Sequence, residues 1–243
     1  MSVAGAAQRD EGPSSLVIAI DGPGGSGKST VARELSRRLR LRYLDSGAMY
    51  RAMTVAVLDA HVDLDDGSAI WAVCSLASVA VGTEPDDPWT ELNGKRVDER
   101  IRSRAVTNAV SAVSAVPAVR EALVRLQREV IGTGGIVAEG RDIGTTVAPH
   151  APMKFFLTAD PDARASRRHH DPAAPELSGI ALTRAEIDRR DALDSSRPVS
   201  PLAKAPDAIE IDTTDLSIDD VVGQILAQCA EWSGAATAEN ASS

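Results

Sequence analysis

The run Asp21-Gly22-Pro23-Gly24-Gly25-Ser26-Gly27-Lys28-Ser29-Thr30 constrains this chain more than any other stretch, because its spacing fits one geometry. From Gly22 to Gly27, Lys28 and Ser29 it reads G-x-x-x-x-G-K-[ST]. In that pattern backbone N–H groups wrap phosphate oxygens, the lysine meets the outer phosphates and the serine hydroxyl can join Mg²⁺. The flanks agree with such a loop. Leu16-Val17-Ile18-Ala19-Ile20 is a short apolar run suited to a buried parallel strand, and Val31, Leu35 and Leu39 recur at helical spacing among arginines. Strand, glycine loop and helix N-terminus together predict a nucleoside triphosphate site on Gly22, Pro23, Gly24, Gly25, Ser26, Gly27, Lys28, Ser29 and Thr30. The helix dipole and its unpaired N–H groups would face the anion.

With 243 residues, 43% of them hydrophobic, the chain can bury one substantial core. A net charge of −9 and an aromatic content of 3% speak against a polymeric nucleic-acid partner, which needs a basic footprint and stacking platforms. The first residues lack the apolar core of a signal peptide, and no run approaches the ~20 apolar residues that span a membrane. Cys74 and Cys229 lie far apart without metal-ligand spacing, so they read as core residues of a cytoplasmic protein. Residues 1–15 and 233–243 are Ala, Gly and polar, and are expected to be disordered tails around one unit over 16–232.

Within that unit five apolar segments recur, near Val17 to Asp21, Arg42 to Ser46, Gly135 to Gly140, Met153 to Ala159 and Ala208 to Thr213, with helical patterns between most of them. The alternation predicts an α/β fold with a parallel sheet covered on both faces. From about His61 to Arg104 the rhythm breaks: Asp63, Asp65, Asp66 and Gly67 read as a loop and Asn93-Gly94 as a hairpin turn, which marks an inserted substructure.

Parallel sheets gather ligands at the carboxyl ends of their strands, and here those ends are polar. After the second strand, Asp45-Ser46-Gly47-Ala48-Met49-Tyr50-Arg51 puts a serine at a helix start with Arg51 a turn further on, which suits a second phosphate or an ordinary capped helix. After the third, Glu139 could reach the water shell of Mg²⁺, Arg141 could neutralise a phosphate and Asp142 could accept a donor from a base, or the three could simply organise the loop. After the fourth, Asp160-Pro161 reads as a cap opening a helix with Arg164, Arg167 and Arg168, a basic face that could close over a triphosphate or stay solvated. The stripe Arg190, Asp194 and Arg197 is either an i, i+4 pairing or a clamp on sugar and phosphate. Ser111 and Arg120, taken alone, read as surface residues ahead of a helix over Val119 to Val130.

These motifs, in this order and over roughly Val17 to Ala230, closely resemble the bacterial cytidylate kinases. The resemblance implies a P-loop nucleoside monophosphate kinase fold: a five-stranded parallel sheet flanked by helices, a monophosphate-binding insertion over about 47–130 and a lid over about 164–190. It implies a monomer transferring the γ-phosphoryl group of ATP to CMP or dCMP, with Mg²⁺ on Ser29 and on Glu139 through water. It further implies that Lys28, Arg141, Arg164, Arg168 and Arg197 serve catalysis, that Ser46, Tyr50, Arg51, Arg190, Asp194 and Arg197 hold sugar and phosphate, and that Ser111, Arg120 and Asp142 hold the cytosine. A P-loop kinase for another small acceptor, UMP or shikimate, and a non-catalytic nucleotide-binding module are the competing readings. Against the module, no N-K-x-D guanine-reading motif occurs and arginines cluster at several strand ends.

Overall fold

A computed structural model of the chain describes residues 15–171 and 179–240, with side chains described up to residue 232. Five parallel strands form the central sheet: β1 (Val17–Asp21), β2 (Arg42–Asp45), β6 (Ile136–Gly140), β7 (Met153–Thr158) and β8 (Ile209–Asp212), in the order β2-β6-β1-β7-β8. All five fall where the apolar segments lie. Alternation along each strand sends Ala19, Leu44, Ile136 and Ala138 to one face and Ile18, Ile20, Tyr43 and Val137 to the other, the period of two that a sheet covered on both sides requires.

On the second of these faces lie α1 (Lys28–Leu39) and α8 (Ile218–Asn240), contributing Val31, Leu35, Val222 and Ile225 to the core. The first face is covered by α2 (Ser46–Asp59), α4 (Arg104–Ala115) and α5 (Pro117–Ile131), which bring Met49, Val55, Val113 and Leu123. A second sheet, antiparallel and three-stranded, holds β3 (Val79–Val81), β4 (Thr90–Leu92) and β5 (Lys95–Arg96). Its β4–β5 turn is the expected Asn93-Gly94, both at positive φ. Together with α3 (Gly67–Leu76), whose first turn is capped by Asp66, this sheet makes up the inserted substructure. The acidic loop read at Asp63 to Gly67 is therefore in part a helix start, and β3 had no counterpart in the sequence reading.

The remaining helices, α6 (Pro161–His169) and α7 (Ile180–Ser196), pack on each other beside the first glycine loop. The Asp160 carboxylate accepts from Asp162 N at 2.8 Å and Pro161 occupies the first helical position, as expected of that dipeptide. Residues 1–14, 172–178 and 241–243, which include most of the expected N-terminal tail and the middle of the expected lid, lie outside the described residues. At the other end α8 continues to Asn240, past the point at which a tail is expected; alanine-rich sequence favours helix once a preceding turn is anchored.

Leu123 is fully buried between α5 and the sheet. Leu123→Ala should destabilise the fold by ~2–5 kcal/mol, read as a lower midpoint at constant slope in urea unfolding.

Candidate active site

The glycine loop leaves β1 at Asp21 and enters α1 at Lys28. No side chain caps α1; its cap position is Gly27, at φ 87°, so the N–H groups of the first turn stay open to an anion. Two glycines are sterically required. A Cβ at Gly22 would lie 2.1 Å from the Leu157 carbonyl oxygen, and one at Gly25 would lie 2.6 Å from that of Arg164, both at positive φ. Lys28 Nζ donates to Pro23 O at 2.8 Å across the loop, and Ser26 Oγ donates to the same carbonyl at 3.0 Å.

Register brings the second and third strand ends alongside. Ile20 pairs with Glu139 and Asp21 with Gly140 across β1–β6, while Asp45 pairs with Glu139 across β2–β6. The Asp21 carboxylate then accepts from the N–H groups of Ile143 (2.8 Å) and Gly144 (2.7 Å), fixing a π-helical turn over Ile143–Val147 directly after Asp142. Glu139 accepts from Tyr43 Oη at 2.8 Å and from the Ser29 hydroxyl, so hard oxygen donors converge beside the loop. The Ser46 hydroxyl donates to Glu139 O at 2.7 Å.

Beyond Lys28 lies a cavity of about 140 Å³ lined by Ser46, Tyr50, Arg51, Ser111, Ser114, Arg120, Arg141, Asp142, Arg190, Asp194 and Arg197. At its floor Arg120 and Asp142 form a buried ion pair, and the Arg120 guanidinium stands 5.2 Å from the Tyr50 ring centroid. Among the described residues, four polar atoms on the wall are buried with no hydrogen-bond partner: Ser111 Oγ, Arg120 Nε, Arg190 Nε and one Arg197 Nη. Buried donors left unpaired cost free energy, so a wall of them marks a place built for a polar ligand.

The electrostatics point the same way. Burial, then Arg141, lowers Lys28 to about 8, against the pull of Glu139, Asp191 and Asp21. Burial and the neighbouring Arg190, Arg168 and Arg102 lower Arg51 to about 9, and burial and Arg141 lower Arg190 to about 10. Burial raises Glu139 to about 7, helped by Asp45, and Asp21 to about 6. Crowded like charges and desolvated carboxylates suit a site for a multiply charged anion and its cation.

Most residues expected from the sequence meet here. Arg141 donates to Gly22 O at 2.6 Å and pairs with Asp194 at 3.0 Å. Arg164 donates to Gly24 O at 3.1 Å, against the loop as expected, whereas Arg168 pairs with Asp171 at 3.2 Å and lines a wider cleft with Ser29, Thr30 and Arg51. The neighbouring Arg167 is turned away, donating to the Thr213 and Thr214 carbonyls. Three corrections follow. Ser111 and Arg120 are buried, not on the surface, because α4 and α5 pack on each other and α4 on α2, with these polar positions turned toward the cavity. Arg197 lies one residue beyond the end of α7 in extended backbone, where it bonds Ser114 Oγ at 3.3 Å, so it does not continue the helical stripe. Asp21 and Asp191 both organise the site without having been singled out; Asp191 binds Gly24 N, Arg141 and Arg164.

Glu139 and Asp21 carry folded-state pKa values above their ordinary ones, so their ionisation opposes folding. The contribution of these two groups to stability is greatest below the ordinary carboxylate range and falls as pH rises from about 4 toward 7. Glu139→Gln should therefore raise the midpoint of thermal unfolding by roughly 5 °C at pH 8, with the gain shrinking toward pH 5. An equal gain at both pH values would contradict that origin.

The family model described as cytidylate kinase matches residues 18–231. A cytidylate kinase of Rhodococcus opacus (strain B4) is 51% identical over 223 residues, covering 91% of this chain and 97% of that one. Cytidylate kinases of Mycobacterium avium (strain 104) and Geobacillus kaustophilus (strain HTA426) are 49% and 47% identical over 212 residues each, covering 86% and 87% of this chain and 93% and 95% of theirs. With the loop, the ringed cavity and this likeness running the length of the sheet, the chain belongs to the cytidylate kinase family.

Proposed function

We propose that this chain transfers the γ-phosphoryl group of ATP to the phosphate of CMP or dCMP, yielding ADP and CDP or dCDP. The observation that carries this reading is the wall of unpaired buried donors around the cavity next to Lys28. One phosphorylated ligand on the glycine loop and a second in the cavity would bring donor and acceptor phosphates together beside Lys28. Phosphoryl transfer asks little covalent help of a protein, so alignment and charge neutralisation dominate.

In this reading an oxygen of the acceptor phosphate attacks the γ-phosphorus while the bond to the β–γ bridging oxygen breaks and ADP leaves. Lys28 and the open N–H groups of α1 hold the donor phosphates, Arg164 neutralises them from α6, and Arg168 closes from the outer cleft. Arg141 stands between the two ligands. Ser46, Tyr50, Arg51, Arg190, Asp194 and Arg197 hold the acceptor phosphate and sugar. The oxygens of Ser29 and Glu139 fit Mg²⁺, the first directly and the second through water, and the ion would neutralise charge on the β- and γ-phosphates. Among the described residues no group of three or more His, Cys, Asp or Glu could hold a metal, so the remaining ligands would come from nucleotide and solvent.

Base choice rests on Asp142, Arg120 and Ser111. Cytosine presents an exocyclic amino donor where uracil presents a carbonyl; a carboxylate accepts from the first and repels the second. The Arg120 pairing holds the Asp142 carboxylate at the cavity floor. We also place the protein in the cytoplasm as a monomer, a reading supported by the family likeness, by the burial of both cysteines, Cys74 and Cys229, and, among the described residues, by the lack of any helix long and apolar enough to cross a membrane.

ADP release measured over CMP, dCMP, UMP, AMP, GMP and shikimate should show a clear preference for CMP or dCMP; preference for any other acceptor overturns the assignment. Lys28→Ala should lower kcat by about a thousandfold or more with the fold intact, checked by circular dichroism beside the assay. Asp142→Ala should collapse the ratio of kcat/KM for CMP over UMP toward unity, and an unchanged ratio would remove Asp142 from the base site.

A further inference from the structure

Asp191 lies on α7 and meets three other parts of the chain with one carboxylate. Its Oδ1 accepts from Gly24 N in the glycine loop at 3.1 Å and faces Arg141 Nη2, from the loop after β6, at 3.4 Å. Its Oδ2 is bound by Arg164 Nη1, from α6. Two further aspartates continue the same face of α7, a turn to either side: Asp188 pairs with Arg164 at 3.5 Å and Asp194 with Arg141 at 3.0 Å. Only Asp191 of the three touches both arginines and the loop. It is also screened from solvent, with its side chain 14% exposed.

The arrangement solves a problem that the site creates for itself. Lys28, Arg141, Arg164 and Arg190 must stand close enough to share phosphate charge, and like charges at that range repel. A carboxylate on a rigid helix, bonded on opposite oxygens to Arg141 and Arg164 and anchored to the Gly24 amide, holds two of them in place before any nucleotide arrives. Preorganised charge of this kind stabilises a transition state without reorganisation at the moment of reaction. We infer that Asp191 is a positioning residue for phosphoryl transfer: it sets Arg164 on the donor side and Arg141 on the acceptor side against the Gly24 edge of the glycine loop. The inference rests on the reading above that these arginines face the two phosphates.

The test is a double-mutant cycle on CMP-dependent turnover, with thermal unfolding recorded for every variant. Asp191→Asn keeps shape and removes the charge that orders the arginines; it should lower kcat/KM about tenfold or more, and Asp191→Glu should recover part of the loss. In an Arg164→Ala background, and again in an Arg141→Ala background, Asp191→Asn should cost clearly less than in the unsubstituted protein, because one of its two targets is already gone. A full additional loss in both backgrounds would make its role one of packing and overturn the inference, as would activity of Asp191→Asn within about twofold of the unsubstituted protein. Should Asp191→Asn fail to fold, the same cycle run with Asp191→Glu decides by the same additivity criterion. The unsubstituted protein in the same assay separates the two readings: without CMP-dependent turnover the proposed reaction fails, whereas turnover with additive losses removes only the role of Asp191.

Discussion

The pairing of β1 with β6 is the interaction on which the rest of the structure depends. Five consecutive residue pairs, from Val17 with Ile136 to Asp21 with Gly140, bring two chain segments to the same level at the carboxyl end of the sheet. One of them continues into the glycine loop and the other into Arg141 and Asp142. The Asp21 carboxylate then ties the two ends together through the Ile143 and Gly144 amides. A shift of one residue would turn every side chain of a strand to the other face and exchange buried Ile20 for Asp21. The apolar packing on both sides of the sheet therefore protects the alignment of the chemistry.

Charge is the second constraint. The chain is acidic overall, at −9, yet Lys28, Arg51, Arg120, Arg141, Arg190 and Arg197 line one cavity beside the glycine loop. Two arginines beside the loop are held by carboxylates on α7 and by backbone carbonyls: Arg141 by Asp191, Asp194 and Gly22 O, Arg164 by Asp188, Asp191 and Gly24 O. Two others, Arg190 and Arg197, each keep a buried nitrogen unpaired. A fold optimised for stability alone would not bury Lys28, Glu139 and Asp21 against their ionised forms. Strain of this kind is retained where a ligand relieves it.

Much of this was legible in the sequence. The five sheet strands lie within a residue or so of the apolar segments; β1 and β6, buried along almost their whole length, read as nearly continuous apolar runs. The glycine loop, the Asn93-Gly94 turn and the Asp160-Pro161 helix start are local chemistry, and local chemistry reads directly. What stayed hidden depends on contacts distant in sequence. The strand Val79–Val81 is too short to show a period. The burial of Ser111 and Arg120 follows from how α4 and α5 pack on each other and α4 on α2, and Asp191 reaches Gly24 across 167 positions of sequence. The residue roles drawn from family likeness went further than periodicity could, since only the likeness separated a base-reading Asp142 from a loop-organising one.

Two phosphorylated ligands meeting across Lys28 is the central claim, and a single molecule can test it. Adenosine and cytidine joined through five phosphates would span the glycine loop and the cavity at once, so the second contact would become intramolecular. In calorimetric titration this ligand should bind about a hundredfold or more tighter than ATP, and saturating CMP should weaken it. Affinity no greater than that of ATP, and indifferent to CMP, would contradict the two-site account.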